Sequence, residues 1–213
     1  QGIFLKRARV DGKPALIIGG GSPVATMWAV YELVERWGVR YLVDRDVLPP
    51  KREWSSLPEL DLVREPNLRI RCWRLVNDLA LGPVSWSLEE NRRFLRQIAK
   101  MKFNRILMSV YAWQPFVDYQ FRGVQRSTAL HWFGEELRVD GDTPGRTAFK
   151  GARIFENPDF AGLTTYKQKI AAGRKLMTGI IDVSHSLGMT VGLSTSVLEF
   201  PKEFGPVLPG SAL

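Results

Sequence analysis

The sequence is poor in the residues that build disulfides and metal centres. Cys72 is the only cysteine, so the chain can form neither an intramolecular disulfide nor a cysteine-based metal site. Histidine occurs only at His131 and His185, which argues against a histidine-rich metal cluster. Apolar runs such as 16–18 are strand-sized and far below the roughly 18 residues that a membrane helix needs. We therefore expect no metal site and no membrane span.

Charge of one sign is not concentrated anywhere in the chain, although its formal net charge is +8. No block of five or more like charges occurs, and scattered arginines more often form a solvated surface or pair with carboxylates. We therefore do not expect nucleic acid as a partner. The basic residues that come closest to clustering are Lys6, Arg7, Arg9, Arg69, Arg71, Arg74, Arg92, Arg93 and Arg96.

The chain carries no signal-peptide pattern, since no basic segment leads into an apolar one. Its content of 45% hydrophobic and 24% charged residues is ordinary for a globular protein with a real core. A length of 213 residues is enough for one large domain or two small ones. Composition alone does not settle the compartment.

The first 65 residues have the pattern of a small α/β domain. Residues 2–18 read as a hairpin around the turn signal Asp11-Gly12. Ser22-Pro23 is typical of a helix start, and the helix should end near Gly38. Strands are expected at 39–43 and 60–63. The prediction is one helix on a small, mixed sheet.

From residue 66 onward the predicted strands and helices alternate along the chain. Strands are predicted at 68–76, 105–111 and 190–197. Two helices separate them, one opened near 87 by a Ser87/Glu90 capping box and one over 173–187. Strand, helix, strand, helix, strand implies parallel pairing with right-handed crossovers. Residues 66–213 therefore read as three strands of a (β/α)8 barrel that the chain does not complete.

The segment from about 114 to 169 is too long for an ordinary connection. Insertions of this kind on a β/α scaffold commonly shape a binding cleft. Flat aromatic rings suit the C–H faces of a pyranose, but they equally suit packing of the insertion onto the barrel. Its aromatic side chains include Tyr119, Phe121, Trp132, Phe133 and Phe155.

The turn Gly19-Gly20-Gly21 is the only phosphate-like motif. A dinucleotide fold would want G-x-G-x-x-G or A there and an acid about 20 residues on, where Asp44 lies. Val24 occupies the third glycine position, and the preceding hairpin breaks the expected βαβαβ order. We therefore interpret the turn as a strand-to-helix connection and expect no cofactor, with nucleotide binding as a lesser alternative.

The stretch Ala25 to Leu42, ATMWAVYELVERWGVRYL, resembles the non-catalytic α/β domain that precedes the barrel in bacterial β-N-acetylhexosaminidases and α-glucuronidases. Those domains carry a "YA-x-YE-x-L-E" core followed by "G-V-R-W/Y-L". The stretches LRQIAKMKFN (95–104) and GRKLMTGIIDVSHSLGMTVG (173–192) are similar to elements of their barrels. The resemblance covers most of the chain and leaves the 114–169 insertion unassigned.

The resemblance implies a fragment of a glycoside hydrolase that acts on hexosaminide- or glucuronide-type bonds. In such enzymes the acid/base pair lies on later strands, so this chain alone should be inactive and should need the remainder of its own barrel as a partner. The resemblance also implies a periplasmic or secreted location. A non-catalytic carbohydrate-binding module is the alternative.

Sugar ligands on such barrels bind at the carboxyl ends of the strands. The resembled enzymes often use an arginine on the first strand, with an acid or Asn five residues later. Here the spacings are six and four, which leaves open which arginine plays that part. Glu199 after the third strand is only a weak catalytic candidate. The predicted substrate-binding residues are Arg71, Arg74, Asn77, Asp78 and Trp113.

Overall fold

A computed structural model describes residues 2–51, 57–75, 85–130, 136–195 and 199–209. These residues divide into two compact units. The first comprises residues 1–73, 93–105 and 186–190, and the second comprises 74–92, 106–185 and 191–213.

The described elements are short strands and four helices, which together make a mixed helix and strand fold. The strands are β1 (Ile3–Val10), β2 (Lys13–Gly20), β3 (Arg40–Tyr41), β4 (Asp46–Val47), β5 (Asp61–Arg64), β6 (Cys72–Leu75), β7 (Arg105–Ser109), β8 (Gln120–Phe121), β9 (Val124–Gln125), β10 (Glu136–Arg138), β11 (Ile154–Glu156) and β12 (Thr190–Ser194). The helices are α1 (Pro23–Arg36), α2 (Leu88–Lys100), α3 (Thr143–Ala148) and α4 (Tyr166–Ser186), followed by a 3₁₀ helix at Lys202–Val207.

The predicted hairpin is confirmed, and it forms the centre of the first sheet. β1 and β2 pair antiparallel with Val10 opposite Lys13, so the connection has two residues. Asp11 and Gly12 both adopt positive φ, 50° and 76°, as a tight hairpin turn requires. β5 adds to the other edge of β1, also antiparallel. The prediction of a mixed sheet is therefore wrong, because β1 pairs antiparallel with both β2 and β5.

Helix α1 covers one face of this sheet. Its start is capped by Ser22, whose Oγ accepts a hydrogen bond from Ala25 N at 3.1 Å. Gly38, with φ 101°, follows its end as predicted. The side chains that helix and sheet bury together are Ile3, Leu5, Ala25, Trp28, Ala29 and Leu33. The sequence pattern thus identified the limits of the helix.

The strand predicted at 39–43 is shorter than expected and belongs to a different sheet. Only Arg40–Tyr41 is extended, and it pairs antiparallel with Asp46–Val47 in a separate two-stranded sheet. Leu42 N donates to Arg45 O at 2.8 Å, so the chain reverses directly after Tyr41. That turn ends the strand.

The three strands after residue 66 form one sheet in the order β12-β7-β6. At the start of β12, Thr190 N donates to Asn104 O at 3.0 Å, and at the end of β7, Val110 N donates to Ser194 O at 2.8 Å. The amino ends of β7 and β12 therefore lie side by side, and so do their carboxyl ends, which means that the two strands are parallel. Asn104 N also donates to Arg71 O at 3.0 Å, so β6 begins beside the start of β7. The predicted parallel pairing is confirmed.

Helix α2 opens with the predicted capping box. Ser87 N donates to Glu90 Oε2 at 2.7 Å, and Glu90 N donates to Ser87 Oγ at 3.2 Å. Helix α4, by contrast, begins at Tyr166 and not at 173. Its own cap explains the earlier start, because Thr165 N donates to Gln168 Oε1 at 3.1 Å. Gly173, which reads as a boundary in sequence, lies inside the helix.

The 114–169 insertion holds regular structure of its own. β8 pairs with β9, β10 pairs with β11, and α3 lies between the latter two strands in sequence.

Among the described residues the sheets are small and do not close into a barrel. In this same part of the chain, no helix combines the length and apolarity needed to cross a membrane. No group of three or more potential metal ligands occurs among those residues either.

Candidate functional site at the carboxyl ends of two parallel strands

A tight turn follows the carboxyl end of β7. Gln114 N donates to Tyr111 O at 3.0 Å, and Tyr111 N donates to the side-chain Oε1 of Gln114 at 3.0 Å. Within this turn the rings of Tyr111 and Trp113 stack, with centroids 5.2 Å apart and planes 18° apart. The turn therefore presents two nearly parallel aromatic rings, both half-buried, just beyond the strand.

A buried arginine holds this turn from the insertion. Arg126 is only 1% exposed, and its Nη1 donates to Ala112 O at 2.7 Å. The Tyr119 hydroxyl donates to the same carbonyl at 3.1 Å. Leu130 N donates to Trp113 O at 3.2 Å. The segment 119–130 thus fixes both carbonyls beside the aromatic pair.

Two tyrosines enclose the Arg126 guanidinium. Its carbon lies 5.4 Å from the Tyr119 ring centroid and 5.6 Å from that of Tyr166, within cation–π range. Arg126 Nε contacts the Tyr166 hydroxyl at 3.2 Å, and that hydroxyl donates to Asp118 Oδ1 at 2.6 Å. Burial raises the pKa of both tyrosines, and the Asp118 hydrogen bond adds to it for Tyr166. Both phenols are therefore neutral near pH 7.

Four buried polar side-chain atoms have no hydrogen-bond partner in the described part of the chain; they lie in β7, in the turn and insertion that follow it, and in the segment after β12. Gln114 and Arg126 are almost completely buried, so each contributes an unpaired N–H donor. Unpaired buried groups of this kind are rare in folded proteins and each calls for an explanation. The four atoms are Ser109 Oγ, Gln114 Nε2, Arg126 Nη2 and Glu199 Oε2.

The segment after β12 is anchored to the same insertion by Glu203. Its Oε1 accepts hydrogen bonds from Ser127 N at 2.6 Å and Thr128 N at 2.7 Å, and its Oε2 accepts one from Thr128 Oγ1 at 2.8 Å. Burial alone would raise the pKa of Glu203, but these amide donors lower it to about 2. Phe204 is buried beside it and its ring lies 5.4 Å from that of Tyr119.

The two predicted arginines occupy different positions relative to β6. Arg71 precedes the strand, where its Nε donates to Lys102 O at 2.6 Å and its guanidinium lies 4.5 Å from the Trp28 ring centroid. Burial lowers the pKa of Arg71. Arg74 lies within the strand and is exposed. Trp73 between them packs on Phe94, so Arg74 faces away from helix α2.

The remaining predicted site residues have different outcomes. Trp113 lies in the turn after β7, and Glu199 lies after β12 with one buried, unpaired oxygen. Asn77 and Asp78 lie outside the described residues, as do His131, Trp132 and Phe133 of the insertion. The structure therefore brings Trp113 together with the buried donors and places Arg71 at the amino end of its strand.

Packing explains the glycine turn at 19–21. A Cβ at Gly20 would lie 2.5 Å from the Ala25 carbonyl carbon, so only glycine lets helix α1 approach the strand this closely. Gly21 N donates to Gly2 O at 3.0 Å, and Thr26 N donates to Ser22 O at 2.9 Å. These amides serve the fold, which favours the strand-to-helix interpretation over a phosphate-binding one.

Comparison with known proteins returns nothing: no family model, no curated protein and no solved structure matches the chain.

Sequence reasoning missed Arg126 and Gln114, the two most buried polar residues of the site. Both lie at or inside the edge of the insertion, where no helix or strand period marks a buried face. The one available signal was local, since Gln114 follows Tyr111 and Trp113 at the end of a predicted strand. Chemically, the arrangement offers flat aromatic surfaces and N–H donors, which suits a ligand rich in hydroxyl groups.

Proposed function

We propose that this chain forms part of a glycoside hydrolase and contributes one wall of its sugar-binding cleft. The proposal rests on the stacked Tyr111 and Trp113 rings at the carboxyl end of a parallel strand, beside the unpaired donors of Gln114 and Arg126. Carboxyl ends of parallel strands are where β/α barrels bind their ligands. The substrate class is a hexosaminide- or glucuronide-type glycoside, as the resemblance of residues 25–42 implies.

The strand–helix alternation supports placing this wall in a barrel. β6, β7 and β12 run parallel in adjacent positions, and helices α2 and α4 connect them. Arg74 lies on the face of β6 opposite α2, which would be the inner face of a barrel, and it is exposed. We therefore favour Arg74 over Arg71 as a sugar ligand, and keep Asn77 and Asp78 as proposed ligands at the strand tip. Completion of the barrel by further strands is part of the proposal.

Hydrolysis of p-nitrophenyl glycosides by the natural full-length protein tests this function. We expect release of p-nitrophenol from an N-acetyl-β-glucosaminide or a glucuronide, and none from the 213-residue chain alone. Trp113→Ala should raise KM about ten-fold, since an aromatic contact of about 1.4 kcal/mol corresponds to that factor. Phe4→Ala, which removes an exposed ring from β1, is the matched control and should leave KM unchanged.

A non-catalytic carbohydrate-binding module is the second candidate, because an aromatic pair with N–H donors binds sugar without any catalytic pair. Glycan-array binding without hydrolysis by the full-length protein, lost in Trp113→Ala, would favour it. Robust turnover by the purified 213-residue chain would contradict the view that the catalytic pair lies elsewhere. Sugar binding that is unaffected by Trp113→Ala would contradict both candidates.

A further inference from the structure

The first residue of helix α4, Tyr166, joins a carboxylate to the buried guanidinium of the second unit. Its hydroxyl accepts a hydrogen bond from Arg126 Nε at 3.2 Å and donates one to Asp118 Oδ1 at 2.6 Å. The same carboxylate oxygen accepts a hydrogen bond from Gln125 Nε2 at 3.2 Å, which holds it in place. We call the side chains of Asp118, Tyr166 and Arg126 the relay.

The relay ends on the backbone between the two stacked rings. Arg126 Nη1 donates to Ala112 O at 2.7 Å, and Ala112 is the residue between Tyr111 and Trp113. The turn 111–114 belongs to no helix or strand, so no regular backbone ladder fixes its orientation. The position of the Ala112 carbonyl, and with it the direction of both neighbouring side chains, therefore depends on contacts such as this one.

The contacts of the relay fix the orientation of the guanidinium as well as its place. Arg126 forms no ion pair with any described residue, and its plane lies between the rings of Tyr119 and Tyr166. Its Nε and Nη1 bond to two different acceptors, the Tyr166 hydroxyl and the Ala112 carbonyl. A planar group held at two nitrogens and packed between two rings cannot turn without losing one of these contacts. Loss of the Tyr166 hydroxyl should therefore loosen the Ala112 carbonyl.

We propose that the relay positions the stacked Tyr111 and Trp113 rings for sugar binding, so that Tyr166 and Asp118 influence the ligand through the Trp113 ring without touching it. They are positioning residues, and they make the start of helix α4 a determinant of sugar affinity. This inference rests on the proposed function, because it assigns a task to the ring pair that carries that function.

A double-mutant cycle in the natural full-length protein tests whether the relay acts through Trp113. Tyr166→Phe keeps the ring beside the guanidinium and removes only the hydroxyl, so KM for a p-nitrophenyl glycoside should rise about three-fold with kcat unchanged. In the Trp113→Ala background the same change should leave KM where it is, because the ring that it positions is gone. Tyr31→Phe removes a tyrosine hydroxyl of helix α1 in the first unit, and this control should leave KM unchanged in both backgrounds.

Near-ultraviolet circular dichroism of the same proteins reports on the ring pair without any sugar. The rings of Tyr111 and Trp113 are close and nearly parallel, so a change in their orientation changes the tryptophan signal. Tyr166→Phe should alter this signal in the wild type and leave it unaltered in a Trp113→Phe background. Glu203→Gln loosens the insertion at Ser127 and Thr128, away from the turn, and should lower stability without altering the signal.

Removal of the guanidinium sets the upper limit of the effect. Arg126→Met should raise KM about ten-fold and no more, because a residue that acts through Trp113 cannot cost more than the loss of that ring. Arg126 is 1% exposed, so this variant is the one at risk of not folding, and Tyr166→Phe decides the question if it does not fold.

Equal effects of Tyr166→Phe on KM with and without the Trp113 ring would overturn the inference, as would an unchanged near-ultraviolet spectrum. If Trp113→Ala itself leaves KM unchanged, the proposed sugar-binding function fails instead. The spectroscopic cycle then still decides whether the relay orients the ring pair. The two failures can therefore be told apart.

Discussion

The side chains of Asn104 and Arg105 at the amino ends of the parallel sheet and those of Ser109 and Gln114 at the carboxyl end of β7 differ in how fully they are hydrogen-bonded within the fold. At the amino ends the side chains bond to the fold itself: Asn104 Oδ1 accepts from Arg71 N at 2.8 Å and its Nδ2 donates to Arg69 O at 2.9 Å. Arg105 Nε donates to Thr190 Oγ1 at 3.0 Å. At the carboxyl end of β7, Ser109 and Gln114 each keep a buried atom without a partner in the described chain, as does Arg126, which holds the turn after that strand.

This difference separates stabilising residues from candidate binding residues without any comparison of relatives. A buried hydrogen bond contributes about 1 kcal/mol, whereas a buried polar atom left unpaired costs about 1–3 kcal/mol. A fold retains such a cost where the atom has another use, and binding sites are the usual place. We therefore expect substitutions at the amino ends to change stability, and substitutions at the carboxyl ends to change ligand binding.

The largest expected effect is at the amino ends. Asn104→Ala removes a part-buried hydrogen bond from the Arg71 amide and an exposed hydrogen bond to the Arg69 carbonyl. We expect the free energy of unfolding to fall by about 2 kcal/mol, with the affinity for the proposed sugar ligand unchanged. Urea denaturation of the purified chain measures the first quantity, and calorimetric titration measures the second. If the variant loses sugar affinity under conditions where it is fully folded, the amino ends of the sheet also contribute to binding, and the proposed difference between the two ends is wrong.

The second prediction concerns a carboxyl-end residue that is fully paired. Because the pKa of Glu203 is lowered to about 2 from an ordinary 4.5, its contribution is present above pH 4.5 and is lost as the pH falls towards 2. Glu203→Gln should lower the free energy of unfolding by about 1.5 kcal/mol at pH 7, a value reduced because the carboxylate is partly exposed. The difference from the wild type should shrink between pH 4.5 and pH 2.

Urea denaturation of both proteins across that pH range is the measurement. The exposed Glu89→Gln on α2 serves as control, since its carboxylate pairs with Arg92 within one helix and should matter little. A constant difference between wild type and Glu203→Gln from pH 7 to pH 2 would show that the Ser127 and Thr128 amides do not stabilise the charged form.

The sequence predicted best where structure depends on local chemistry. The Asp11-Gly12 turn, the Ser22 cap and the Ser87/Glu90 capping box all form as expected. Each involves residues within four positions of one another, so its energetics are contained in a short window of sequence. The order of strands and helices after residue 66 followed from the same local patterns, and the parallel direction followed from that order.

Long-range contacts account for the failures. Nothing local shows that Arg126 becomes buried, because its cover comes from Tyr119 and from Tyr166, forty positions further on. The strand predicted at 39–43 ends early because the hydrogen bond from Leu42 N to Arg45 O forms a turn there, although the residues have strand propensity. Arg71 fits an alternating strand pattern, but Trp28 of a distant helix provides its packing surface. The proposed cleft could be predicted from the sequence at the level of strand ends, but its individual residues could not, because they are brought together by such contacts.

The smallest expected effect is the most direct test of the difference between the two ends of the sheet, because here the free energy of unfolding should rise and not fall. Ser109→Ala removes a buried hydroxyl that has no partner in the described chain, at the end of β7. We expect the free energy of unfolding to rise by about 1 kcal/mol, since an unpaired polar group is replaced by a methyl group of similar size. Thr190→Val, at the amino end of β12, removes an exposed hydroxyl that accepts a hydrogen bond from Arg105 and should be destabilising by about 0.5 kcal/mol. Urea denaturation measures both. If both variants lose stability, the Ser109 hydroxyl is paired in solution, and the difference between the two ends of the sheet no longer indicates where the ligand binds.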